Sequence, residues 1–224
     1  MLRPADAEEH LRVIRSLMER ATIYRAISAQ AALLGGLLSL LVGGFLWWRA
    51  PQTIAATQQT LIWLGVLVIT GAGNFIFLWE DARRRRESFV SAGMKMALRA
   101  LCPSFLAAGV ATARWADRPE VLALIWSVSY ALALLSTSHF APRSIAYLGW
   151  AFLIASMACI LASCARLDEW TSLSERAAFF NGYMALTFGL FHAAYALCTW
   201  PRRSAAGSPA DPEIARTDSF QDSQ

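Results

Sequence analysis

Stretches without Arg, Lys, Asp or Glu recur along the chain at 26–48, 50–79, 100–113, 121–142, 144–165 and 177–201. A backbone surrounded by lipid must satisfy its own hydrogen bonds, so such stretches read as helices, and about 20 residues cross a hydrocarbon core of about 30 Å. Five of the six are long enough as they stand. The third becomes long enough only as a helix from Phe89 to Ala113, which takes in Lys95 and Arg99. The pattern therefore predicts an all-α fold, a polytopic integral membrane helical bundle occupying 26–200. Its six transmembrane helices are expected at about 27–48, 61–79, 89–113, 121–139, 145–165 and 177–199.

The flanks read differently. Over 1–25, Leu11, Ile14, Leu17, Met18, Ala21 and Tyr24 recur at helical spacing opposite Glu8, Arg12 and Glu19, predicting an amphipathic helix. Asp6 and Glu9 stand three residues apart, as in a capping box. Such a helix lies on a leaflet or docks on a protein partner. Residues 201–224 lose periodicity and mix Pro201, Gly207, Pro209 and Pro212 with Ser, Asp and Gln, which predicts a disordered tail. The apolar run Ile27 to Trp48 exceeds the about 7–15 residues of a cleavable signal peptide and is expected to stay as the first span.

Charge sets the expected orientation. Assigned to alternating sides, Arg3, Arg12, Arg15, Arg20, Arg25, Arg83 to Arg86, Lys95, Arg99, Arg143, Arg202, Arg203 and Arg216 share one face. Only Arg49, Arg114, Arg118, Arg166 and Arg176 take the other. An excess of Lys and Arg marks the cytoplasmic side, so both termini are expected inside, N-in and C-in, with the amphipathic helix and the tail cytoplasmic. The run Arg83, Arg84, Arg85 and Arg86 is the strongest anchor and the candidate contact for anionic lipid head groups. These anchors account for the net charge of +4 without a nucleic-acid partner. Composition agrees: 56% of residues are hydrophobic and 16% charged, against about 25% charged in soluble domains. Trp47, Trp48, Trp63 and Trp115 fall at the outer boundary and Trp79, Trp150 and Trp200 at the inner one, where indole rings are favoured.

Span one carries Gly35, Gly36, Ser39, Gly43 and Gly44, and span six carries Gly182, Ala185, Gly189, Ala193 and Ala196. Small residues at such spacing let backbones approach closely in lipid, within the bundle or between subunits of an oligomer. Chemistry is sparse. His192 is the one His, Lys, Arg, Asp or Glu deep in a span, on a stripe with Tyr195 and Thr199. Lys95 and Arg99 lie one turn apart, with Pro103 a turn beyond as the expected irregularity. With Asn74 and Ser127 these residues make the candidate ligand or solute pocket; snorkelling of the basic pair to the headgroups and an interhelical hydrogen bond from His192 are the structural alternatives. His139, Cys102 and Cys198 share the inner half with His192 but lack ligand spacing, so neither a metal nor another cofactor is implied. No Asp or Glu stands within a span, which argues against an ion-coupled carrier, and no catalytic motif or disulfide framework is present.

The segment from Glu9 through Arg20, continuing over Tyr24 to Ser28 and Gly35 to Leu38, resembles the start of small bacterial multi-span membrane proteins of uncharacterised function. That resemblance covers about the first fifth of the chain. It implies a bacterial inner membrane and no activity. The expected role is non-enzymatic: a regulatory, sensory or assembly component acting through its cytoplasmic face. A small-solute transporter or channel is the first alternative and a membrane-bound metal or haem protein the second.

Overall fold

The computed structural model describes residues 27–86, 92–138, 141–165 and 173–200. The amphipathic segment 1–25, the tail 201–224 and His139 lie outside the described residues. The described residues are helical throughout, with no strand among them: α1 (Ala29–Thr53), α2 (Ala56–Arg85), α3 (Ala92–Arg114), α4 (Pro119–Ser136), α5 (Arg143–Ala165) and a last helical path in three parts. These parts are α6 (Leu173–Met184), a π-helical segment (Ala185–Phe191) and α7 (His192–Thr199). Helices α1 to α5 are each long and apolar enough to cross a membrane, which marks a multi-pass helical membrane protein.

Large apolar side chains face both ways, Phe152, Leu46, Leu122 and Ile145 inward and many others outward. Leu41, Val68, Val110, Tyr147, Leu161 and Leu197 point outward, Tyr147 with 71% of its surface exposed. Gln59, Thr60, Ser127, Ser156, Asn181, Thr187 and His192 are inside. Hydrocarbon is no worse a solvent for Leu than another helix is, so large apolar side chains gain little by facing inward, whereas polar groups must find partners there. Several inward hydroxyls bond to the carbonyl one turn back: Thr112 to Ala108, Ser156 to Phe152, Ser163 to Cys159 and Thr187 to Tyr183, at 2.7–2.9 Å.

The path α6–π–α7 runs along α1 and also packs against α4 and α5; α3 packs on α4, and α2 on α1. The α1 seam rests on the small residues. A Cβ on Gly36 would stand 2.8 Å from the Ala193 nitrogen and 2.9 Å from the Gly189 carbonyl oxygen, and one on Gly43 would stand 2.6 Å from Cβ of Ala185. These stripes therefore pack against each other inside one chain.

Helix ends follow local chemistry. Ser28 caps α1, its hydroxyl accepting the Ala31 N–H at 3.1 Å. The Ser28 N–H in turn donates to Asn74 Oδ1 of α2 at 3.1 Å. At the other end of α2, Arg86 takes a left-handed conformation at φ 55° and stops the helix. Arg83 lies over the Trp79 ring, 5.0 Å from its centroid, and Arg84 pairs with Glu80 at 3.5 Å. Cations there also complement the negative end of the helix dipole.

The expected irregularity is placed differently. α3 is helical straight through Pro103, and the Ser136 hydroxyl of α4, which donates to the Ala133 carbonyl of its own helix at 2.7 Å, also stands 3.1 Å from the Ala100 carbonyl, beside the Arg99 carbonyl that proline deprives of its usual donor. The break from α-helical geometry is instead the π segment. There the Thr187 hydroxyl takes the Tyr183 carbonyl, and Gly189 presses so closely on Leu40 that an added Cβ would stand 2.7 Å from its Cγ. Both weaken the ordinary one-turn ladder.

Candidate functional site

α2 and α3 are not among the helix pairs that pack closely, and both turn side chains toward α4 and the last helical path. The space left between them is a cavity of about 180 Å³. Trp63, Val66, Leu67 and Thr70 line it from α2, and Ser104, Phe105 and Ala108 from α3. Trp126, Ser129 and Tyr130 line it from α4, and Met184, Phe188 and His192 from the last path. Gly35 and Ser39 of α1 form the back wall. Leu67 and Phe105 are also 52% and 44% exposed on the outer surface, so the cavity reaches the lipid-facing side between α2 and α3.

One end is closed by tryptophan. The Trp63 indole N–H donates to Asn181 Oδ1 at 2.9 Å, and Asn181 Nδ2 donates to Gln59 Oε1 at 2.8 Å and to the Ala177 carbonyl at 2.9 Å. Gln59 completes the set by donating to the Ile54 carbonyl at 3.2 Å. Asn181, only 3% exposed, thus has both amide hydrogens and its oxygen engaged. Trp126 donates to Thr112 Oγ1 of α3 at 2.8 Å. Trp63, Trp126 and Met184 separate the cavity from a much smaller pocket at Thr60, Pro119 and Ala177.

The other end is polar. Gly35 abuts Thr70 while its neighbour Gly36 abuts Ala193, so Thr70 and His192 stand at one level of the bundle. The His192 Nε2 and the Tyr130 hydroxyl are 2.7 Å apart. Phe152 meets Tyr130, Phe188 and His192 edge-on at 4.9–5.5 Å, and Phe188 stacks on the imidazole at 6.0 Å. These contacts fix the ring. The π segment lies immediately before His192, and its extra residue per turn rotates His192 and Phe188 relative to α6. His192 is 7% exposed and its imidazole also engages the Phe188 backbone one turn back, while the Thr70 Oγ1 is buried without a partner. Leaving such a group unmet costs about 1–3 kcal/mol.

No family model matches this chain, and no curated protein or solved structure does. The reading of the site therefore rests on its own geometry.

Of the pocket residues expected from the sequence, the cavity takes in His192 alone. Lys95, Arg99 and Pro103 are exposed on α3 and do not line it. Asn74 ties α2 to the cap of α1. Ser127 is fully buried behind the cavity wall, on α4. Arg83 to Arg86 stand in sequence at the end of α2. Tyr130, Thr70, Trp63, Trp126 and Asn181 were not singled out as pocket residues. Asn181 carried a signal, as a lone amide among apolar residues of the sixth stretch; the others are recognisable only once distant helices are brought together. Among the described residues no group of three or more His, Cys, Asp or Glu is placed to hold a metal ion.

Proposed function

We propose that this protein is a non-enzymatic, six-span component of a bacterial inner membrane that senses a lipophilic molecule held in the cavity and acts through its cytoplasmic face. The observation that carries the reading is the cavity itself: apolar and aromatic walls, tryptophans closing one end, and an opening between α2 and α3 toward lipid. A ligand reaching it leaves the bilayer sideways and needs no aqueous path. Apolar lining with few fixed polar groups is the usual form of a small-molecule site.

The path from Leu173 to Thr199 serves as the sixth span, since 27 helical residues cover more than the about 30 Å core at about 1.5 Å each. Both termini then face the cytoplasm, together with the arginines ending α2, whose contact is with anionic head groups. The amphipathic segment 1–25 is the output, a surface for a protein partner or for the inner leaflet. A solute transporter is the less supported alternative, because the cavity wall holds no Lys, Arg, Asp or Glu.

The test is thermal unfolding of the purified chain in detergent with decylbenzene as a bare lipophile. The unfolding temperature is expected to rise saturably, and Ser129→Phe, which places a ring in the cavity, is expected to abolish the rise. Deleting residues 1–22 should leave that rise intact and remove binding to anionic vesicles or to a captured partner. A wild-type protein indifferent to lipophiles contradicts the reading.

A further inference from the structure

The polar groups in the cavity wall are already spent on the protein itself. The Trp63 indole N–H is given to Asn181 and that of Trp126 to Thr112. The Tyr130 hydroxyl meets His192 Nε2 at 2.7 Å, and the imidazole also engages the Phe188 backbone. Thr70 Oγ1 is buried out of an occupant's reach. Ser39, Ser104 and Ser129 are the remaining polar wall residues, and a helical serine can turn its hydroxyl to the carbonyl one turn back, as Ser156 and Ser163 do. The wall therefore asks no hydrogen bond of an occupant, and a polar group carried in would lose its solvation for no fixed partner.

Size and wall chemistry complete the description. About 180 Å³ is close to the about 150 Å³ of an apolar cavity that stays dry and binds benzene, so the space takes one ring and not a folded acyl chain. Trp63, Phe105, Trp126, Tyr130 and Phe188 bring aromatic side chains to it from four elements. Aromatic rings gain from offset or edge-on contact beyond the area they bury. A saturated chain in the same space gives up bond rotations and has no π face to offer.

We infer that the cavity selects a single aromatic ring bearing no polar group, the head of an alkylated arene whose hydrocarbon tail stays in the bilayer. This rests on the reading of the cavity as a lipophile site. The ring lies among the five aromatic side chains, and the tail leaves between Leu67 and Phe105, both exposed on the outer surface.

The test uses probes of nearly equal length and hydrophobicity on the full chain in detergent, read by unfolding temperature and by tryptophan fluorescence, since Trp63 and Trp126 stand in the wall. Decylbenzene is expected to bind saturably, at least about fivefold more tightly than decylcyclohexane, whose ring is saturated and puckered. The hydroxyl of para-decylphenol should weaken binding several-fold relative to decylbenzene. Phe105→Leu should shrink the preference for the aromatic over the saturated ring about threefold. Phe188→Leu should do the same from the opposite wall, and Phe105, being 44% exposed, keeps the test decisive if the Phe188 variant does not fold. Equal binding of decylbenzene and decylcyclohexane, or tighter binding of the phenol, overturns the ligand class while leaving the lipophile site standing. Responses to all three probes that never saturate, or that Ser129→Phe leaves unchanged, overturn both.

Discussion

The two sides of the bundle use side-chain size in opposite ways. Where α1 meets the last helical path, Gly36, Gly43, Gly189 and Ala193 bring backbones together until no added methyl fits. Where α2 faces α3, mainly aromatic and apolar side chains surround an open space. A helix pair in lipid associates only as far as close contact and hydrogen bonds carry it, so the first side closes and the second stays apart. The last path serves both, with small residues toward α1 and Phe188 and His192 toward the cavity, and the π segment turns one face against the other.

The largest predicted effect breaks the closed side. Gly36→Leu must displace the backbone of Gly189 or Ala193 and is expected to cost about 3 kcal/mol, measured by detergent-titration unfolding in mixed micelles. Gly44→Leu is its control: nothing lies within 4 Å of an added Cβ there, and its stability should stay within about 0.5 kcal/mol. Next comes the tryptophan-closed end of the cavity. Asn181→Leu leaves the Trp63 N–H and the Gln59 amide without their partner and should destabilise by about 2 kcal/mol in the same assay.

A gentler probe of the open side is Trp126→Phe. It removes the one hydrogen bond from Trp126 to Thr112 and should cost about 0.6 kcal/mol, the average for such bonds between membrane helices. The smallest effect is predicted for Lys95→Ala with Arg99→Ala. Both residues are exposed and away from the cavity, so lipophile binding by fluorescence should change less than twofold. A large loss there would move the site to the basic end of α3.

The closed side was readable in the sequence because its signal is local. Small residues at steps of three and four lie on one helix face whatever the tertiary arrangement, and Gly36, Gly43, Gly189 and Ala193 needed only to find each other. The helical class was readable for the same reason: charge-free stretches of spanning length recur along the chain, and the described residues are helical throughout. The open side was not readable, since a cavity consists of contacts that are not made. Tyr130 and His192 are 62 positions apart, and Trp63 and Asn181 are 118 apart. Charge marks His192 in the sequence and leaves Asn181 unmarked, although in lipid a neutral amide needs partners just as a charge does. Tryptophan misled in one place: Trp63 resembles an interfacial anchor in sequence, yet it is 5% exposed and hydrogen-bonded inside. Pro103 drew attention as a helix breaker, whereas the break lies in the π segment, where the departure comes from Thr187 and Gly189 and from close contact with α1.

The most direct test labels both sides at once. Vesicles holding the protein would be irradiated with a diazirine-bearing decylbenzene and the adducts mapped to single residues by mass spectrometry. Saturable labelling of Phe105, Ser129, Tyr130 and Phe188, with none at Gly36, Gly43 or Ala185, is the predicted result. Labelling restricted to outward residues such as Leu41 and Val110, with Tyr130 and Phe188 unmodified, would contradict it.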